Sequence, residues 1–561
     1  MTPPQQFVAA WVAIALVLAG LGALLQHCWR APVEGADGWL RSFWLGWSAL
    51  LLLLQGWHFV FPIDDRVLFV VVPLGALGLL LCGTSPWRSF GRGLLRHLPA
   101  LVLLALATAW LADRATGGNG NGDTGYYFIP TVAWLRAHPI VPGLANLSAP
   151  LAYNQTYFHY VALLETGPFV EGSHHIANAM LLLALIARGL LGASRILRPG
   201  GGRPADVFYM AFTPAALRLV FQPNFTSPAP DFAVFMFGGV LIGELVDLIA
   251  SPARIRSALP AMAVLATTAL TVKLSLAALA GTTLLVAGGV ALRRGAGIRT
   301  LAGAIALASV WMLVWMAGNV VMSGYPLYPS GVAAMPVAWR VPIDVADLIR
   351  GSSSLHGSID LAWKDPKWFL NSLDSLGWHT REVILPLCMT AAALVVSPFL
   401  WLWRRRGERR LGVAAITLLP TVVALVFWFV TAPRPRFAGA AFWLLGMQAV
   451  LVALGGSIST RSGRGAVATL TLALGGLAFH DGGPFFQPQP THGRWPEPVL
   501  EPRTLASGLV VSLPQNSSCW DALLCTPTPS EGLTLLNPPD PGGGFRIDPS
   551  LLPPVAIDPK P

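Results

Sequence analysis

Charge is scarce in this chain. Charged residues make up 11% of its 561 positions, whereas soluble domains carry about 25%. Hydrophobic residues make up 54%, and the mean hydropathy is +0.60. This composition excludes a string of ordinary soluble domains. The net charge of +10 requires no nucleic-acid partner, because basic residues are expected in the short loops that flank membrane spans.

Other signals are also missing. No Lys or Arg precedes the first apolar run, residues 7–25, whereas a cleavable secretory signal would begin with a basic segment. No GxxxxGK[ST] or GxGxxG motif lies between a strand pattern and a helix pattern, so nucleotide binding is not predicted. Neither a tandem nor an inverted repeat is found. We therefore interpret the first run as a membrane span.

What the chain has in abundance is apolar runs, each close to the roughly 20 residues that a helix needs to cross a bilayer. We predict an all-α polytopic membrane protein with about 14 transmembrane helices. The predicted spans are residues 7–25, 40–61, 67–82, 97–112, 175–193, 206–221, 231–250, 257–272, 274–292, 301–320, 382–403, 411–430, 437–457 and 464–479.

Arginine distribution predicts the orientation of these spans. With the N-terminus outside, the cytoplasmic connections are short and dense in Arg, and the long polar segments lie on the opposite side, as the positive-inside rule requires. Long loops between spans tend to be functional, so we expect the site there. The predicted regions are N-terminal transmembrane helices (1–112), an outer loop (113–174), a transmembrane core (175–479) that includes a second outer loop (321–381), and a Pro- and Gly-rich outer tail (480–561).

Cysteine is rare, with five residues in the chain. Cys519 and Cys525 both lie in the predicted outer tail. A disulfide between them would suit an oxidising compartment, and two free thiols are the alternative. Cys28, Cys82 and Cys388 lie in or beside spans, where small apolar packing is the ordinary role of a cysteine.

The first outer loop presents Asp123 directly after the fourth predicted span, behind a Gly- and Asn-rich entry. A stretch with Tyr127 and Trp134 follows, and aromatic residues at helical spacing favour a helix that lies in the membrane interface. A carboxylate there is placed to act as a general base. The alternative is an ordinary turn residue, since Asp favours turns.

Further candidate residues lie on the same predicted face. Asp231 lies at the start of the seventh span, where it is either a second functional carboxylate or a helix N-cap. Lys273 lies between two apolar spans, where a lone cation indicates function unless it reaches the interface by snorkelling. Arg434 and Arg436 suit phosphate binding, or contact with anionic headgroups.

Two more pairs of polar residues have simple alternatives. Tyr325 and Tyr328, in a Pro-rich turn after the tenth span, would stack on a sugar or anchor the interface. Glu244 and Asp247, near the inner end of the seventh span, are expected to pair with Arg residues from the cytoplasmic side.

Several motifs carry a resemblance to a known group of enzymes. An Asp at the start of the first long outer loop, followed by interfacial helices, resembles the GT-C superfamily of polyprenyl-phosphate-sugar glycosyltransferases. The chain is closer still to a group of bacterial multi-spanning membrane proteins, and it departs from that group at Phe128, where His is frequent. The similarity extends from about residue 120 onward through Gly122-Asp123-x-Gly125-x-Tyr127, Trp134, Ile140-Val141-Pro142-Gly143-Leu144-Ala145-Asn146-Leu147, Asn154-x-Thr156-x-Phe158, Gly324-Tyr325-Pro326-Leu327-Tyr328-Pro329, Arg434-Pro435-Arg436-Phe437 and Cys519-Trp520…Cys525-Thr526-Pro527.

The resemblance implies a GT-C-like helical bundle in the bacterial inner membrane with its active face toward the periplasm. It implies transfer of a sugar from a polyprenyl phosphate or diphosphate to a glycan, lipid or protein acceptor, with no nucleic acid involved. Asp123 and Asp231 would be catalytic residues or ligands of a divalent metal, Mg or Mn. Substrate contacts would come from Lys273, Arg434, Arg436, Tyr127, Asn146 and Tyr325. The alternatives are a transporter or lipid-linked glycan flippase, and a non-enzymatic component of a polysaccharide assembly system.

Overall fold

A computed structural model describes most of the chain, and the described part is mostly helical. The described residues are 3–83, 91, 96–167, 172–198, 202–251, 255–353, 380–403, 415–431, 435–454, 460–480, 484–487 and 495–551. The helices of eight or more residues are α1 (Pro3–Cys28), α2 (Gly35–His58), α3 (Leu68–Leu81), α4 (Leu98–Arg114), α5 (Ile129–Ala137), α6 (Tyr157–Leu164), α7 (Ser173–Ile196), α8 (Pro204–Leu217), α9 (Pro230–Ala250), α10 (Ile255–Val272), α11 (Ala277–Arg293), α12 (Ile298–Ser323), α13 (Ile343–Ser353), α14 (Leu385–Trp403), α15 (Leu418–Thr431), α16 (Ala441–Leu454) and α17 (Arg461–His480).

Each predicted span contains a helix, but the structure does not establish fourteen membrane crossings. Seven helices in the described residues are long and apolar enough to cross a membrane, which fits a membrane protein. Several of the others, such as α15 and α16 with 14 residues each, are shorter than the roughly 20 residues a crossing needs. The seven candidates are Pro3–Cys28, Ser173–Ile196, Pro230–Ala250, Ile255–Val272, Leu274–Arg293, Ile298–Ser323 and Glu382–Phe399.

The first helices pack at backbone distance. A Cβ atom on Gly22 of α1 would lie 1.7 Å from the Ser42 carbonyl oxygen of α2, and one on Gly46 of α2 would lie 1.7 Å from the Leu18 carbonyl oxygen. Gly20 approaches Gly75 of α3 in the same way. Helices in lipid associate through such close packing of small residues. Lipid tails are as apolar as the helix surfaces, so the hydrophobic effect does not bring the helices together.

A buried ionic cluster joins α2, α7, α8 and α9 at the predicted cytoplasmic end. Asp206 is fully buried, and its carboxylate accepts hydrogen bonds from Arg188 at 2.8 Å and Arg195 at 3.2 Å. The predicted pairing of Glu244 and Asp247 with Arg is confirmed, because both contact Arg41. The cluster contains Asp37, Arg41, Arg188, Arg195, Arg203, Asp206, Glu244 and Asp247.

The first outer loop contains the expected short helices, but protein covers them. Every residue of α6 is buried, and Trp134 of α5 is only 2% exposed. The two helices pack on each other, and α6 also packs on α2 and α7. A helix resting in the membrane interface would leave one face to lipid. The aromatic spacing therefore reflects burial in the protein core rather than contact with the interface.

The C-terminal tail corrects the all-α prediction. It folds into two antiparallel hairpins, one formed by β1 (Leu500–Thr504) and β2 (Val510–Pro514), the other by β3 (Leu533–Asn537) and β4 (Asp540–Ile547). Cys519 and Cys525 form a disulfide, which decides between the two alternatives left open by the sequence. The tail docks on the first outer loop, where Phe545 N–H donates to the Pro142 carbonyl oxygen at 2.9 Å.

We predict that Asp206→Ala lowers the free energy of unfolding by about 3–5 kcal/mol, because it removes the fully buried carboxylate that pairs with the buried Arg188 and with Arg195. Thermal or denaturant unfolding of the purified protein in detergent measures this loss. Asp344→Ala, at an exposed position of α13, is the matched control and should change stability by less than about 0.5 kcal/mol. Equal effects of the two substitutions would contradict a structural role for the ionic cluster.

Candidate functional site

A cavity of about 460 Å³ lies where several helix ends meet the first outer loop. Its wall includes five of the residues that the sequence predicts for the site, contributed by four segments far apart in the chain. This volume falls within the range of ligand pockets. The predicted residues in the wall are Asp123, Tyr127, Asp231, Lys273 and Arg436.

Local hydrogen bonds fix the backbone that carries Asp123. The Asn121 side-chain oxygen accepts a hydrogen bond from the Asp123 N–H at 2.8 Å, and the Asn119 oxygen accepts one from the Asn121 N–H at 3.0 Å. Asn and Asp stabilise turns by such bonds to the backbone two residues on. A π-helical turn, Thr124–Phe128, follows directly. The Asn119 and Asn121 side chains thus stabilise the turn, and the Asp123 side chain is part of the cavity wall.

Buried polar contacts join this loop to the segment that leads to Asp231. The Asn121 amide donates to the Asn224 side-chain oxygen at 2.5 Å, and the Thr124 and Ser227 hydroxyls are 2.7 Å apart. Asn178 of α7 donates to the carbonyl oxygens of Asn224 and Ser227 at 2.8 and 2.7 Å. Sequence analysis missed these residues, although the density of Asn, Ser and Thr in both loops was a visible signal.

Each carboxylate in the cavity faces a cation. Asp231, in the first turn of α9, pairs with Lys273, which lies between α10 and α11. Arg436 donates to Asp123 at 3.2 Å. The ring of Phe437 lies between the two pairs, 5.2 Å from the Lys273 ammonium and 4.9 Å from the Arg436 guanidinium carbon. Cation–π contact with a shared ring thus links the pairs.

The two ion pairs differ in exposure. The Lys273 and Asp231 side chains are 11% and 15% exposed, whereas those of Arg436 and Asp123 are 51% and 32% exposed. An exposed pair contributes only about 0–1 kcal/mol, whereas breaking a buried pair by removing one partner costs about 3–5 kcal/mol. The Asp123–Arg436 contact is therefore easily exchanged for a ligand, and the Asp231–Lys273 contact is a stable part of the site.

Tyrosines form an aromatic wall beside the ion pairs. Tyr127 and Tyr153 have ring centroids 6.2 Å apart, and Tyr153 and Tyr328 have centroids 6.4 Å apart. Burial, followed by the negative charges of Asp231 and Asp123, raises the pKa of Tyr127 well above its ordinary value. Tyr127 is therefore neutral at physiological pH, and the wall can contact the apolar face of a ligand without adding charge.

Not every predicted site residue lies at the cavity. The Asn146 amide donates to the Trp339 carbonyl oxygen at 2.9 Å and to that of Phe545 at 3.3 Å, so it holds the tail in place. Tyr325 is 1% exposed and donates to the Val341 carbonyl oxygen at 2.8 Å, while Tyr328, three residues on, lines the cavity. Arg434 lies outside the described residues.

The C-terminal tail packs against the Asp123 loop outside the cavity. Trp520 N–H donates to the Gly125 carbonyl oxygen at 3.0 Å. A Cβ atom at Gly125 would lie 2.7 Å from the Trp520 ring and 2.9 Å from Ser518 Cβ. Only glycine leaves room for this contact, and the disulfide between Cys519 and Cys525 encloses Trp520 in a short loop. The tail thus positions the loop without entering the cavity.

Metal binding by the two carboxylates has no direct support from the cavity geometry. Among the described residues, no group of three or more His, Cys, Asp and Glu side chains could hold a metal ion. Asp123 and Asp231 already contact Arg436 and Lys273, and a divalent ion would have to displace these cations. The Mg or Mn ion stays a prediction, and no chemical step below depends on it.

The fold and the cavity define a mostly helical protein with a charged, tyrosine-walled site at its helix ends. Residues 6–443 match the model of a protein family described as "Domain of unknown function (DUF8201)". Because this match spans more than half of the chain, the protein belongs to that family. No curated protein and no solved structure matches the chain. The matched region contains all the cavity residues named above and ends before the β-hairpin tail.

We predict that Lys273→Met lowers the free energy of unfolding by about 1–3 kcal/mol, because Asp231, whose side chain is 15% exposed, is left without its partner. The double variant Lys273→Met/Asp231→Asn should recover at least half of this loss, since neither charge then remains. Unfolding of the parent, the two single variants Lys273→Met and Asp231→Asn, and the double variant in detergent measures the coupling between the two residues. Additive losses in the double variant would contradict a stable buried pair.

We also predict that Gly125→Ala weakens docking of the tail, because the added methyl group displaces Trp520, and overpacking costs about 1–3 kcal/mol. Limited proteolysis should release residues 495–551 faster than in the parent protein. Gly122→Ala is the matched control in the same loop, since a Cβ atom there meets nothing within 4 Å. The same cleavage rate in both variants would refute support of the loop by Trp520.

Proposed function

We propose that this protein is a membrane glycosyltransferase that takes a sugar from a polyprenyl phosphate or diphosphate and transfers it to a glycan, lipid or protein acceptor. The observation that carries the proposal is the meeting of Asp123, Asp231, Lys273 and Arg436 around one cavity with a tyrosine wall. A carboxylate can accept the proton of an acceptor hydroxyl, a cation can stabilise the leaving phosphate, and aromatic faces can stack on a sugar ring. The sequence motifs that resemble those of GT-C enzymes favour the same reaction class.

In the proposed reaction, Asp123 is the general base. The acceptor hydroxyl oxygen attacks the anomeric carbon of the donor, and its proton passes to the Asp123 carboxylate. The bond between the anomeric carbon and the phosphate oxygen breaks, and the lipid phosphate leaves with the electron pair. Arg436 stabilises the charge that develops on this phosphate. Its exposed contact with Asp123 is weak enough for Arg436 to turn toward the donor, which also frees the base.

Asp231 and Lys273 serve a different purpose in this proposal. Their buried pairing fixes the position of the Lys273 ammonium against Phe437. Phe437 in turn lies under the guanidinium of Arg436. We therefore assign Asp231 as a positioning residue, in place of the second catalytic carboxylate that the sequence suggested. Tyr127, Tyr153 and Tyr328 provide apolar faces on which a sugar ring can stack.

We further propose that the cavity opens on the periplasmic side of a bacterial inner membrane. Arg-rich connections at the opposite helix ends support this orientation under the positive-inside rule. The disulfide in the tail supports it independently, because disulfides persist in oxidising compartments and the tail packs against the loop that carries Asp123. The donor would then reach the cavity from the outer leaflet.

The test is a transfer assay in proteoliposomes with a panel of polyprenyl-phosphate sugars, measuring release of polyprenyl phosphate. We expect Asp123→Asn to reduce the rate by at least about 100-fold, because general-base catalysis contributes about 10²–10⁴-fold. Asp344→Asn, on the exposed side of α13, is the matched control and should keep the parent rate.

Two outcomes would overturn the proposal. Full transfer activity in Asp123→Asn would remove the base from the mechanism. Movement of the labelled lipid between leaflets without any covalent product would instead identify a flippase. Repeating the assay after chelation with EDTA, and after adding Mg²⁺ or Mn²⁺, decides whether the reaction requires a metal.

A further inference from the structure

A second cavity of about 530 Å³ lies at the other end of the molecule. It is a groove between α1, α3 and α4, and its floor is formed by α2 and α7. α4 has 17 residues and so spans about 25 Å at 1.5 Å per residue. The groove begins at His97, just before α4, while Asp123 follows the opposite end of that helix. The groove is therefore separate from the site described above.

The groove is apolar along most of its length. Leu16 of α1, one of the apolar residues in its wall, is 48% exposed, so the groove is open on that side. Polar groups gather at one end, where His97 and Arg195 lie. His97 Nδ1 is 2.6 Å from the Ser194 hydroxyl. Apolar side chains that line the groove include Leu16, Trp39, Leu79, Leu101, Met180 and Leu190.

The polar end of the groove carries an excess of positive charge. The ionic cluster behind it is balanced, since four arginines (Arg41, Arg188, Arg195, Arg203) meet four carboxylates (Asp37, Asp206, Glu244, Asp247). Arg96 and Arg198 lie outside that cluster, and both are exposed. Arg96 directly precedes His97, and the Arg198 N–H donates to the Arg195 carbonyl oxygen at 3.1 Å, so both arginines adjoin residues that line the groove. Glu34, exposed beside Gly35 of the wall, offsets one of these charges. The two arginines therefore leave a net positive charge among the described residues at the mouth of the groove.

We infer that this groove binds an anionic phospholipid, with an acyl chain along the apolar wall and the phosphate at Arg96, Arg198 and His97. An apolar channel that ends in exposed arginines matches a molecule with a hydrocarbon chain and an anionic head. Basic pockets between helices on the cytoplasmic side bind anionic headgroups, and anionic lipids are concentrated in that leaflet. The Arg-rich connections place this end of the helices on the cytoplasmic side.

A helix from a partner would fit the groove less well. The cavity volume lies within the range of small-molecule pockets, about 300–1,000 Å³. A partner helix would bury the apolar wall but would leave Arg96 and Arg198 without an anionic group, unless it carried acidic residues at that one position. A phospholipid supplies both features in one molecule. The inference does not depend on the proposed transferase activity.

The experiment uses the full-length protein in detergent, titrated with phosphatidylglycerol or with phosphatidylcholine of the same acyl chains. Native mass spectrometry counts the bound lipids, and the unfolding temperature reports stabilisation. We expect phosphatidylglycerol to bind more tightly. The double variant Arg96→Gln/Arg198→Gln should bind it about 30-fold more weakly, because each arginine near an anionic lipid contributes about fivefold in affinity.

Arg256→Gln is the matched control, since Arg256 is exposed at the start of α10 on the same predicted side and outside the groove. It should keep the parent affinity within about twofold. Ala100→Phe narrows the groove and should weaken binding of both lipids without lowering the unfolding temperature of the lipid-free protein. Equal affinity for the two lipids, or equal effects of the double variant and Arg256→Gln, would overturn the inference. Either result leaves the transfer assay unaffected.

Discussion

The constraint that organises this molecule is that a charge inside an apolar helical bundle needs a partner. The buried pair of Lys273 and Asp231 satisfies it at one end, and the cluster around Asp206 satisfies it at the other. In both places the partners come from different helices or from the segments that connect them. Removal of either partner would leave the other charge without a partner inside the protein. Each pair therefore fixes where two helix ends meet. The candidate site forms around one such meeting point, because Lys273 holds Phe437 and Phe437 supports Arg436.

This constraint also separates the groups that hold the site from the groups that can react. A buried pair is costly to open, whereas the exposed contact between Asp123 and Arg436 costs little to exchange. The residue types do not reveal which pair is buried, since each pair consists of one Asp and one basic residue. Burial reveals this difference, and on that ground we propose the chemistry for Asp123 and a positioning role for Asp231. The sequence-based hypothesis, in which Asp231 assists Asp123 as a second carboxylate, stays a prediction.

The sequence predicts the helices well because apolar runs of bilayer length have few alternatives to a helix. It predicts crossings less well, since α15 and α16 are apolar but short. The clustering of Asp123, Asp231, Lys273 and Arg436 follows from their common position at helix ends on one predicted face. The direction of a side chain does not follow from spacing. Tyr325 and Tyr328 were both candidates and the substrate contact was assigned to Tyr325, whereas Tyr328 lines the cavity. The strands of the tail were missed because its Pro and Gly content is typical of loops, and apolar segments such as Val510–Pro514 are short.

Two sets of contacts hold the Asp123 loop, and they differ in origin. The hydrogen bonds from Asn121 and Thr124 to Asn224 and Ser227 lie within the region that matches the family, residues 6–443. The contact of Trp520 with Gly125 comes from the tail, beyond that region. The first set ties the loop to the segment that carries Asp231, so it sets the geometry between the two carboxylates. The second set packs Trp520 against Gly125 and so restrains the loop. Geometry and rigidity of the site are therefore supplied by different parts of the chain, and a change in the tail can alter one without altering the other.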